Sequence, residues 1–107
     1  MAVTDWVQVA KVGDLKDNDM MMVTAGADEI LLAQVHGQYY AIDNWCTHAG
    51  GMLDQGFLHP DQCEVECPLH EGYFHLETGA ARLPPAEEDA IAYAVKVEGD
   101  AIYVGPR

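Results

Sequence analysis

Apolar and polar positions alternate in short runs along this chain, and turn residues interrupt them often. "WVQVAKV" at 6–12 alternates as a half-buried strand does. "MMMVTA" at 20–25 is a second strand candidate. "EILLAQV" and "QYYAID" flank His36-Gly37, which predicts a tight hairpin. "CEVEC" at 63–67 is a short strand that follows the turn "HPDQ". "GYFHLE" runs into Thr78-Gly79 and then "AARL", a further hairpin. "AYAVKV" and "AIYVG" flank Glu98-Gly99-Asp100, which predicts another. Pro84-Pro85 marks a loop that cannot join a central ladder. Residues 84–90, "PPAEEDA", could form a brief helix, and no longer helical stretch is convincing. Many short strands with close turn signals predict an all-β chain of small antiparallel sheets, as a sandwich or barrel.

Size and charge narrow the picture. A length of 107 residues, half of them apolar, predicts a single domain over 1–107 with one core. No apolar run approaches a bilayer span. The start "MAVTDWVQVAKVGD" lacks a basic stretch followed by an apolar one, so no secretory signal is expected. The expected location is the cytoplasm, without a membrane partner. Five Lys and Arg against 18 Asp and Glu give a net charge of −13, which argues against nucleic acid, since phosphate binding needs clustered cations. A strong negative field suits a basic protein partner. It also serves solubility, and composition alone favours that plainer role.

The candidate chemistry lies in the cysteines Cys46, Cys63 and Cys67. An odd number in such a chain makes metal ligation a better expectation than disulfides. Cys46-Thr47-His48 and Cys67-Pro68-Leu69-His70 each pair a thiol with an imidazole, just after a predicted strand and at the start of a Gly- or Pro-rich loop. The hairpin-like excursion 49–66 between them lets both loops reach the same end of the fold. Three chemistries compete: structural zinc, a histidine-activated thiol nucleophile, and a two-iron cluster with two Cys and two His. The nucleophile is weakest, because nothing in the chain supplies an orienting residue or a substrate pocket. Zinc fingers usually separate a Cys–Cys pair from a His–His pair, whereas here each loop brings one of each. A two-iron cluster wants that arrangement.

"CTHAGG" at 46–51, "CPLH" at 67–70, Gly72, Phe74 and "TG" at 78–79 make the chain resemble a Rieske protein. It is most similar to the small Rieske-type ferredoxins of bacterial ring-hydroxylating oxygenases. The resemblance covers nearly the whole chain and leaves little room for an attached catalytic domain. It implies a Rieske-type iron–sulfur fold with a cluster-binding subdomain at one end, its loops in about 44–86. It also implies one [2Fe–2S] cluster per chain, with Cys46 and Cys67 on the buried iron and His48 and His70 on the outer iron. The implied role is that of a monomeric electron-transfer protein, not an enzyme. Its partners would be a flavin-containing ferredoxin reductase and a terminal oxygenase. The rivals are a small Rieske-fold subunit of a larger reductase, such as an assimilatory nitrite reductase, and a structural zinc protein.

Departures from the respiratory pattern carry information. The positions of its extra disulfide hold Gly51 and Leu69, and the positions of its Ser and Tyr hydroxyls hold Gly72 and Phe74. Fewer hydrogen bonds to the cluster sulfurs mean a lower potential, expected near the bottom of the Rieske range at about −150 mV. Glu71 stands where many family members have glycine. Pro68, Gly50, Gly51 and the Pro84-Pro85 loop are suitable covers for the cluster. Cys63 is expected to be a small core residue on a strand face shared with Cys67. Trp45 is expected to pack the core beneath the first loop. His36, His59 and His75 are assigned no metal, and Met20 to Met22 are assigned to a strand or its edge.

Overall fold

The computed structural model describes residues 5–46, 51–69, 72–81 and 89–106. The described residues form nine strands: β1 Val7–Lys11, β2 Asp19–Ala25, β3 Asp28–Val35, β4 Gln38–Asp43, β5 Phe57–His59, β6 Glu64–Glu66, β7 Tyr73–His75, β8 Ala92–Glu98 and β9 Ala101–Gly105. Six of them make one antiparallel sheet in the order β1-β9-β8-β4-β3-β2, and β5-β6-β7 make a second. The end strands β1 and β2 touch, so the larger sheet curls toward a barrel. The expected all-β architecture of small antiparallel sheets is the one found. β4 and β8 are neighbours in the large sheet, and the small sheet is built from the chain that runs between them. This is the subdomain at one end that the sequence led us to expect.

Period-two patterning explains how one strand serves two cores. Ile30 and Leu32 of β3 point into the curled sheet with Val23, Ala41, Tyr93, Ile102 and Val104. Leu31, Ala33 and Val35 point the other way, to a second core with Ile42, Val65, Phe74, Leu76, Cys46 and Cys67. Ile30 to Ala33 are therefore completely buried in succession. The small sheet covers the back of β3 and β4, and this burial welds it to the large one. At about 25 cal/mol per Å² of apolar surface, each such Leu or Ile contributes on the order of 2 kcal/mol.

The turns follow the local chemistry. His36 and Gly37 have φ of 50° and 81°, the left-handed pair that a two-residue hairpin requires. Asn18 Oδ1 accepts from the His36 N–H and Asp17 Oδ1 from the Gly37 N–H, which holds that turn in place. Between β8 and β9 the turn is Gly99-Asp100 alone, because Glu98 already pairs with Ala101. Two further expectations need correction, and one strand was not expected. Cys63 is not in a strand; it has φ of 56° at the end of the short 3-10 helix Pro60–Gln62, and β6 starts after it. The turn at Thr78-Gly79 forms, with the His75 N–H donating to the Ala80 carbonyl, but past it Ala81 makes only an isolated antiparallel bridge to Phe74 and its N–H goes to Asp89 Oδ1. β5 has no periodic signal, being three residues between Gly56 and Pro60. Of the brief helix at 84–90, residues 84–88 lie outside the described residues, and Asp89 and Ala90 are not helical.

Candidate metal centre

Cys46 emerges three residues after β4, and Cys67 directly after β6. Each opens a six-residue loop closed in the same way. The Cys46 N–H donates to the Gly51 carbonyl at 2.8 Å, and the Cys67 N–H donates to the Gly72 carbonyl at 2.9 Å. Both cysteines are 1% exposed and share the second core with Val65 and Phe74. The loops also touch each other. A methyl group placed on Gly51 would lie 3.5 Å from Cys67 Sγ and 3.1 Å from the Leu69 side chain. Gly51 therefore lets the second loop close over the first. Leu69 meets Gly51 at the two positions where the respiratory pattern has its disulfide. No disulfide joins the three cysteines.

His48, His70, Glu71, Gly50 and Pro84-Pro85 lie outside the described residues. Among the described ones, the structure brings Cys46, Cys67, Gly51, Gly72 and Phe74 together. The other histidines are accounted for elsewhere: His36 is in the hairpin turn, and His75 Nδ1 accepts from the Glu77 N–H. His59 meets Glu66 at 2.9 Å and stacks tilted on Tyr73. Cys63 packs against the second core from its turn; burial and then Glu77 and Glu64 push its thiol up, opposed by a hydrogen bond with Tyr40. Trp45 corrects the expectation of core packing. It is 54% exposed, because its backbone bridges Met52 at the mouth of the first loop and the side chain falls on the outer face. Leu69 and Phe57 are exposed to a similar degree, so this end of the molecule presents apolar surface beside its acids.

Sequence reasoning passed over Asn44 and Asp54. Asn44 is fully buried two residues before Cys46, and its side chain bonds Asp54 twice. The signal available was a polar residue at the junction between a strand and the first Cys/His box. Asp43, one residue earlier, accepts a hydrogen bond from the Tyr93 hydroxyl at 3.1 Å. Burial raises the Asp43 carboxyl above its usual range, against the lowering effect of that bond.

Two buried thiols on facing loops, close enough that a methyl on Gly51 would touch Cys67 Sγ at 3.5 Å, fit a compact thiolate-held group. The chain from residue 5 to residue 98 matches the Rieske [2Fe-2S] domain model. The chain belongs to the Rieske [2Fe–2S] family. Its cofactor is accordingly a Rieske-type cluster. This Rieske chain is 39% identical over 94 residues, 88% of each protein, to the ferredoxin component of naphthalene 1,2-dioxygenase/salicylate 5-hydroxylase systems of a Ralstonia species. Its structure is similar to the ferredoxin of carbazole 1,9a-dioxygenase from Nocardioides aromaticivorans IC177, with a TM-score of 0.91 and 36% identity over 97% of this chain and all of that one. It is also similar, at a TM-score of 0.86 and 29% identity, to a chain of a complex of reduced oxygenase and oxidized ferredoxin in carbazole 1,9a-dioxygenase, covering 95% and 94% of the two chains.

Proposed function

We propose that this Rieske chain is a one-electron carrier, passing electrons from an NAD(P)H-dependent flavin reductase to a terminal ring-hydroxylating oxygenase. The observation that carries the reading is the pair of facing cysteine loops, each closed from Cys N–H to Gly carbonyl five residues on. The ferredoxin identity of its relatives supports the same role. In this reading Cys46 and Cys67 hold the inner side of the cluster, and His48 and His70 hold the outer side. The loops of about 44–86 serve one domain, 1–107, that works as a monomer in the cytoplasm.

A bound cluster supplies a site for one electron. The protein supplies its surroundings. Phe74, Val65 and Leu76 keep water from the thiols. Phe74 and Gly72 offer no hydroxyl, which favours a low potential near about −150 mV. Trp45 and Leu69 give a partner apolar contact beside the imidazoles, and the acidic surroundings steer a basic partner toward them.

The test is purification of the holoprotein and of four variants, C46S, H48A, C67S and H70A. The expected wild type is red-brown, gives the electron paramagnetic resonance of a reduced Rieske cluster, and supports turnover when mixed with reductase and oxygenase. Each variant should lose more than about 90% of the cluster, since removing one ligand takes away half of the protein's hold on one iron. A colourless wild type with stoichiometric zinc overturns the reading. So does stable copurification with a reductase large subunit and no transfer to an oxygenase.

A further inference from the structure

The two cysteine loops are closed by the same backbone bond but rise from different necks. The second loop grows from a ladder: Glu64, Val65 and Glu66 of β6 pair with His75, Phe74 and Tyr73 of β7. The first loop has no such ladder. β4 stops at Asp43, and the returning chain makes a single bridge, Trp45 to Met52, before the 3-10 helix Leu53–Gln55. Asn44 fills the gap. Apart from cysteine and tyrosine, it is the only buried polar or charged side chain among the described residues.

All of its hydrogen-bonding groups are used to tie three segments. Its N–H donates to the Glu29 carbonyl of β3 at 3.1 Å, and its carbonyl accepts from the Leu53 N–H at 2.9 Å. Its Oδ1 accepts from the Asp54 N–H at 2.8 Å, and its Nδ2 donates to Asp54 Oδ1 at 2.8 Å. Leu53 and Asp54 are the first residues of the 3-10 helix, whose own capping residue, Met52, makes no side-chain cap bond. Helix N-termini leave such N–H groups without partners, and a polar side chain normally serves them. Here that side chain comes from before the loop, so capping the helix also fixes the neck of the loop. Leu53 is buried in the same core as Cys46, which couples the clamp to the thiol.

We propose that Asn44 is a positioning residue that, with Asp54, latches the first cluster loop, which carries Cys46 and His48 in its sequence, and so holds Cys46 in register with Cys67. The proposal rests on the reading of Cys46 and His48 as ligands. Only an amide meets both demands. Alanine removes the acceptor and the donor, and aspartate sets a second carboxylate against Asp54 in a buried place.

The experiment measures cluster loss under a chelator by the decay of visible absorbance. Amide hydrogen exchange at Leu53 and Asp54 is measured in parallel. N44A should lose its cluster about tenfold faster and exchange faster at both amides, one lost buried hydrogen-bond pair being enough for that factor. N44D should be worse than N44A. The exchanged pair N44D/D54N restores one donor facing one acceptor, and its half-life should return to within about threefold of wild type, a recovery that general loosening of the fold does not produce. N44A with a wild-type half-life and exchange overturns the latch, as does failure of the exchanged pair to recover. The ligand reading fails separately, if H48A keeps the wild-type cluster spectrum.

Discussion

Phe74 is completely buried among the thiol-bearing residues and carries no hydroxyl to offer a cluster sulfur. A hydroxyl there would favour the reduced state, which holds one more negative charge. Phe74→Tyr is expected to raise the midpoint potential by about 60 mV, the equivalent of about 1.4 kcal/mol for one electron; protein-film voltammetry would read it, and an unchanged or lower potential would remove the hydroxyl argument. Tyr93 makes a prediction in pH. Burial first, then the Asp43 carboxylate, raise its phenol above the ordinary value. The folded chain therefore keeps a proton that the unfolded chain releases near pH 10. Stability from this group is intact below about pH 10 and is lost as pH rises through the folded value. Thermal melts from about pH 9 to 11 should show that decline, and Tyr93→Phe should flatten it while melting lower at neutral pH for want of the bond to Asp43. Residue identity was the most legible level of all. Cys46 and Cys67 could be chosen over Cys63 from their spacing to histidine, whereas the exposure of Trp45 could not, since one residue's side of a loop mouth depends on the bridge it makes.

At the scale of elements, the three-stranded sheet decides whether the two loops meet. Gly56 stands just before β5, and a side chain on it would collide with the Glu66 carbonyl of β6 and press on Pro68. Neither neighbour can yield without moving Cys67. Gly56→Ala is therefore expected to cost about 1–3 kcal/mol in thermal unfolding and to lower cluster content on purification. A variant as stable and as fully loaded as wild type would show that β5 moves independently of the cluster loops. The strands β1 to β4, β8 and β9, apolar or alternating runs bounded by turn residues, were legible in the sequence. The short strand β5 was not, because three residues carry no period; backbone pairing with β6 creates it. The turn at Thr78-Gly79 was legible, but the shortness of the returning strand was not, since the chain at Asp89 and Ala90 takes the hydrogen bonds of Ala81 and Gly79.

At the scale of the molecule, the charges are segregated. The sequence has no Lys or Arg between Lys16 and Arg82, the span that includes both cysteine loops. Lys11 and Lys96 belong to the curled sheet and Lys16 to the connection before β2, while Asp54, Asp61, Glu64, Glu66 and Glu77 belong to the subdomain. Among the described residues, the end of the molecule that holds the thiols therefore carries acids with no Lys or Arg to offset them. Electron transfer to the oxygenase is expected to slow several-fold as ionic strength rises from about 0.01 to 0.5 M, as the screening length shrinks from about 30 Å to a few ångströms. Stopped-flow rates would measure it, and a salt-independent rate would reduce the acidic surface to a solubility device.

The sequence alone determined the chemistry of this protein and the class of its fold. Period-two alternation, turn residues with positive φ, and two Cys/His boxes are local properties, written within a few positions of one another. The tertiary structure decided what depends on contacts between distant segments. It set β3 between two cores, placed Leu69 over Gly51, and used Asn44 to join β3, β4 and the first turn of a distant helix. Those arrangements come from burial and hydrogen bonding across the fold, and no short stretch of sequence contains them.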